Sequence, residues 1–130
     1  MKQFDNKNFY SDNINWIDEN NVVLGWDMGA CCCEQFGYFF SLKELDKVPE
    51  DVNNQLDEFD AEGYNFVKDY FKNLDDEREY AEAGGVAQFK LVNGQGEELY
   101  LCLYNFHNGY YGHGFTFEIK DGEVLRSEGL

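Results

Sequence analysis

Residues 91–119 (LVNGQGEELYLCLYNFHNGYYGHGFTFEI) constrain the fold most, because strand periodicity and tight-turn chemistry coincide there. Leu99, Leu101 and Leu103 alternate with Tyr100, Cys102 and Tyr104, a strict period of two. Upstream, Ala87, Phe89 and Leu91 fall on one face and Gln88 and Lys90 on the other. Asn93-Gly94-Gln95-Gly96 between these runs supplies residues that tolerate the positive φ angles of a hairpin. Phe115, Phe117 and Ile119 alternate again, and Asp121-Gly122 signals another hairpin leading to a short strand near Val124 and Leu125.

The connection FHNGYYGHG suggests a further hairpin. A two-residue turn at Asn108-Gly109 would set Leu101 beside Thr116, the wrong facing for a buried leucine face. A bulge or wider loop at Gly112 or Gly114 corrects the register. This reading displays Phe106, His107, Tyr110, Tyr111 and His113 at an aromatic tip.

Upstream of this stretch, residues 1–14 form a polar segment and 15–130 a single globular domain. Val22 to Met28 reads as a buried strand and Phe36 to Ser41 as its partner in an N-terminal hairpin, with a turn at Glu19-Asn20-Asn21 before them. Ser41 and Glu44 form a capping-box pattern ahead of a short helical turn. Val52, Leu56 and Phe59 sit at helical spacing, as do Phe66, Val67, Tyr70, Phe71 and Leu74; a short strand at Tyr64 to Val67 competes with the second helix. The expected fold is α+β: a mainly antiparallel twisted sheet of about five or six strands, carrying one or two short acidic helices.

Charge narrows the function. The net charge is −16, and residues 44–82 hold 14 of the 26 acidic residues against four basic ones. Such a field opposes direct nucleic-acid binding and anionic membranes and favours a basic partner. No apolar run approaches the roughly 18 residues of a membrane span, and MKQFDNKNFY has no signal-peptide core, so a cytoplasmic protein is expected. Consecutive Cys31, Cys32 and Cys33 make a poor disulfide framework, which fits a reducing compartment.

The pieces GWDMGACCCEQFGYFF, AGGVAQFKLVNGQGEELYLCLYN and HNGYYGHGFTFE together resemble an uncharacterised family of small bacterial and bacteriophage proteins. Its signatures would be carried here by Cys32-Cys33-Glu34 and Asn108-Gly109-Tyr110-Tyr111. The resemblance spans about residues 15 to 122, the acidic middle matching least, and Cys31 is an addition to the pattern. It implies an α+β domain in a phage or mobile-element setting and assigns no activity.

The leading functional expectation is a non-catalytic interaction protein without a cofactor. In its specific form it is a phage-type inhibitor that mimics nucleic-acid charge toward a basic, nucleic-acid-binding host defence protein such as a CRISPR effector. The partner-binding residues would be Asp57, Glu58, Asp60, Glu62, Asp75, Asp76, Glu77 and Glu79 for charge, with Tyr110 and Tyr111 as anchors. The alternative is a metal or thiol site built from Cys31, Cys32 and Cys33 with His107 and His113, whose thiolate and imidazole groups suit zinc or a histidine-activated nucleophile. Adjacent cysteines are spaced wrongly for a standard knuckle, and the plain reading is reduced cysteines packed as small hydrophobes. A calcium loop at DEFDAEG fails because Phe59 and Ala61 occupy positions that need oxygen ligands.

Overall fold

A computed structural model describes residues 1–7, 12–28, 35–49, 51–52, 55–75, 83–107, 113–120 and 122–130. The described chain is two five-stranded antiparallel sheets packed face to face. The first contains β1 (Lys2–Lys7), β2 (Asp12–Ile17), β3 (Val22–Asp27), β9 (Gly114–Ile119) and β10 (Val124–Gly129), in that order. The second runs β4 (Gln35–Ser41), β8 (Glu98–His107), β7 (Ala83–Val92) and β5 (Asn65–Phe66), with β6 (Lys72–Asp75) also paired to β7. The polar segment 1–14 supplies β1 and the start of β2.

The expected α+β class is therefore corrected: no helix longer than a single 3-10 turn at Val52 occurs among the described residues. The apolar residues that imitate a helical stripe face different cores. Phe59 packs on Phe40 and Tyr64 between the sheets, whereas Val52 is buried in a cluster on the outer face of the second sheet. Leu56 bridges Phe40 and is largely exposed. One helix face cannot serve both sides of a sheet, so the segment follows the surface as irregular chain. Phe66 and Leu74 divide in the same way, into the inter-sheet core and the outer cluster.

The alternating residues do form strands, and both of their faces are covered. Leu99, Leu101 and Leu103 meet Trp16, Leu24, Trp26, Phe115 and Phe117 across the sandwich, while Tyr100, Cys102 and Phe106 pack outward with Phe39, Val48, Val52 and Leu74. The β7–β8 hairpin closes at residues 93–97, where Asn93 Oδ1 accepts the Gln95 and Glu97 N–H groups and Gly96 takes φ +79°. At the β2–β3 turn Asn21 takes φ 61°.

Two expected hairpins are absent. β3 and β4 lie in different sheets, and so do β8 and β9. The leucine strand and the Phe115–Phe117 strand are stacked, not paired, which puts their apolar faces together without any register slip. Gly114 pairs with Gly129, and the register shift on β9–β10 lies between Val124 and Arg126.

Candidate acidic interface

Segment 57–62 shows how the sequence displays charge without a helix. Phe59 is partly buried and Ala61 is buried, while Asp57, Glu58, Asp60 and Glu62 are exposed. The two apolar side chains hold the segment to the sandwich and turn the carboxylates outward. Asp60 Oδ1 accepts the Glu62 N–H at 3.2 Å, fixing the local bend, and the Met1 nitrogen donates to the carbonyls of Ala61 and Tyr64 at 2.8 and 3.1 Å. None of these four carboxylates has an ion-pair partner among the described residues. The nearby positive charges among the described residues are the Met1 ammonium, held on the backbone of this segment, and Lys2.

A cleft of about 710 Å³ separates this segment from the β2–β3 turn, with Glu19, Asp60 and Glu62 on its walls and Lys2 at one side. Asp18 also lines it but is structural. Its Oδ1 accepts the Asn20 and Val22 N–H groups at 2.9 Å each, and its Oδ2 accepts Phe66 N–H at 2.8 Å. The buried carboxylate is thus matched by backbone donors.

Elsewhere some of the acids are paired. Lys72 Nζ bridges Glu44 and Asp46 at 3.1 and 2.9 Å. The hydrogen bond to Lys72, then its charge, holds the Asp46 carboxyl below the ordinary value, and the same contacts raise Lys72. Glu98 is lowered by its hydrogen bond with Lys90, 3.0 Å away, and then by the Tyr100 hydroxyl at 2.9 Å.

Of the eight acids expected to act together, the five described ones do not share one end of β7. Residues 57–62 lead into β5, which pairs with Leu91 and Val92, whereas Asp75 pairs with Gly85. About 23 Å of β7 separates these ends, at roughly 3.3 Å per residue. Asp75 shares its end of the sandwich with His107, whose backbone pairs with Ala83. Asp76, Glu77, Glu79, Tyr110 and Tyr111 lie outside the described residues, as do Cys31, Cys32 and Cys33.

The expected aromatic tip is partly core. Phe106 is buried, and His113 is only 2% exposed, stacked on Phe36 with ring centres 4.1 Å apart. His113 Nδ1 lies 2.6 Å from the Asp27 carbonyl, which commits that nitrogen to the end of β3. No cluster of three or more metal-binding side chains occurs among the described residues. Cys102, the described cysteine, is buried, and burial pushes its thiol well above the ordinary value, away from nucleophilic character.

Sequence reasoning missed Gln88, which lies on the polar side of β7 and is fully buried. Its Oε1 accepts Leu45 N–H at 2.9 Å, and its Nε2 donates to the Leu45 carbonyl and the Tyr70 hydroxyl at 3.2 and 3.1 Å. This side chain fastens the segment after β4 over the outer face of the second sheet. Among the described residues, none covers the corresponding outer face of the first sheet, which is polar, with Asn13, Asn15, Thr116 and Glu118 half-buried along it.

No family model, curated protein or solved structure matches this chain. No described helix is long and apolar enough to cross a membrane.

Proposed function

We propose that this protein is a non-catalytic binding protein that docks through the acidic surface at residues 57–62 onto a basic, nucleic-acid-binding partner in the cytoplasm. The observation that carries this reading is the set of four outward carboxylates, unpaired with any described cation, on a segment anchored by Phe59 and Ala61. Anchored charge loses less conformational freedom on binding than charge on a free tail. The net charge of −16 adds long-range attraction for a positively charged surface. In the finer form of the proposal the protein is a phage-type inhibitor that occupies a host defence protein's nucleic-acid groove, in keeping with the resemblance carried by residues 15 to 122.

The test compares capture by the native chain and by D57K/E58K/D60K/E62K from nuclease-treated bacterial lysate at low salt. The native chain retains a basic nucleic-acid-binding protein, which duplex DNA displaces and raised salt releases. Equal retention of that protein by the reversed-charge chain would end the proposal.

A further inference from the structure

The geometry points to a binding site for a neutral polyhydroxy ligand, a sugar, on the open outer face of the first sheet. Antiparallel pairing sets Asn13 beside Asp27, Asn15 beside Gly25, Gly25 beside Thr116, and Val23 beside Glu118. These positions form a lattice whose central member, Gly25, has no side chain. A shallow hollow of about 410 Å³ is lined by these residues and Gly114.

Gly25 is the informative residue. Glycine inside a strand weakens it and often marks close approach by a ligand or backbone. Its dihedrals are not in the left-handed region, so the backbone makes no demand for glycine here. A Cβ on Gly25 would lie 2.9 Å from Asn15 Oδ1, the end of a side chain that can turn aside. Asn15 leans over the position a side chain would take.

The lining decides the ligand class. Asp27 and Glu118 contribute carboxylates and, among the described residues, no lysine or arginine lines the hollow, so a phosphate or other anion is disfavoured. A simple cation would use the carboxylates but leave the Asn13 amide N–H groups and the Thr116 hydroxyl proton unmatched, Asn15 Nδ2 already donating to the Phe4 carbonyl at 3.5 Å. Hydroxyl groups donate and accept at once, and a ring bearing several of them satisfies amide, hydroxyl and carboxylate together. Val23 offers a small apolar patch for the C–H face of such a ring. Phe4, 46% exposed, is paired with Asn15 and continues the Asn15–Gly25–Thr116 row as a stacking surface at the sheet edge.

This site is independent of the acidic surface, so either can fail without the other. The test is binding of neutral gluco-, manno-, xylo- and chito-oligosaccharides to the purified chain, followed by isothermal titration and amide chemical shifts. One oligosaccharide series binds saturably, shifts amides of β2, β3 and β9, and keeps its affinity when salt is raised to about 0.5 M, because no ion pair is involved. Gly25→Val plugs the hollow and weakens binding at least about tenfold, equivalent to roughly 1.4 kcal/mol. Should that variant not fold, N15A/T116A on the surface of the same sheet shows the same loss. No binding by the folded native chain across the four series overturns the inference, and so does undiminished binding by a folded variant.

Discussion

Asp18 Oδ2 accepts the Phe66 N–H at 2.8 Å, so one carboxylate joins the β2–β3 turn of the first sheet to β5 of the second. Its other oxygen holds the turn itself through Val22 N–H and Asn20 N–H. The sandwich is thereby fastened at the same end that carries the acidic cleft. Asp18→Ala leaves two buried N–H groups, those of Val22 and Phe66, without an acceptor and lowers stability by about 2–4 kcal/mol. Asp18→Asn keeps one acceptor oxygen and loses about half as much. Urea midpoints measure both, and a cost below about 0.5 kcal/mol for the alanine variant would show that water replaces the carboxylate there.

Gln88 plays the equivalent part on the far side of the second sheet. Gln88→Leu has similar volume but removes the partners of Leu45 N–H, the Leu45 carbonyl and the Tyr70 hydroxyl. The expected cost is about 1–3 kcal/mol. Hydrogen exchange at residues 42–48 accelerates more than in β8, because Gln88 fastens that segment and not the sheet ladder. Uniform acceleration across both regions would contradict this local role.

How much of this was legible in the sequence follows from which interactions are local. The alternation of Leu99, Leu101 and Leu103 gave β8 and its two faces, and the residues at 93–96 gave the β7–β8 hairpin, because period and turn chemistry are properties of neighbouring residues. Which strands share a sheet was not legible. Phe115 packs edge-on against Phe89 across the sandwich instead of lying beside the leucines, and a period of two is the same in either arrangement. Helical spacing at Val52, Leu56 and Phe59 misled because spacing does not report that two apolar residues serve opposite faces of one sheet. At the acidic surface, the outward direction of Asp57, Glu58, Asp60 and Glu62 follows from the apolar Phe59 and Ala61 between them. The distance from those acids to Asp75 depended on pairing along β7 and could not be read.

The outer cluster makes the protein sensitive to alkali. Burial, then the hydrogen bond with Glu44, pushes the Tyr70 phenol from 10.0 up to about 12, and burial also raises Cys102, Tyr100 and Tyr104. The folded state therefore holds protons that the unfolded chain has already released. This contribution is complete below the unfolded values, which begin at 9.0 for the thiol, and is lost as pH rises through the folded values. Urea midpoints fall between about pH 8 and about pH 12, and Tyr70→Phe flattens the fall. An identical alkaline profile for Tyr70→Phe would remove Tyr70 from the account and leave the loss to Tyr100, Cys102, Tyr104 or overall charge repulsion.

Anchor and charge in segment 57–62 separate by mutation. D57K/E58K/D60K/E62K changes the net charge from −16 to about −8, removes no ion pair among the described residues, and relieves repulsion across the acidic surface. Stability is expected to stay the same or rise by up to about 1 kcal/mol, more at low salt than at high salt. Phe59→Ala does the reverse: it removes the ring packed on Phe40 and Tyr64 and costs about 1–3 kcal/mol while leaving the charge untouched. If the acids were structural, their reversal would destabilise the chain as Phe59→Ala does, and the two denaturation curves would coincide. If they serve a partner, the reversed-charge chain is as stable as the native one and fails only in binding, since relieved repulsion and lost attraction come from the same four carboxylates.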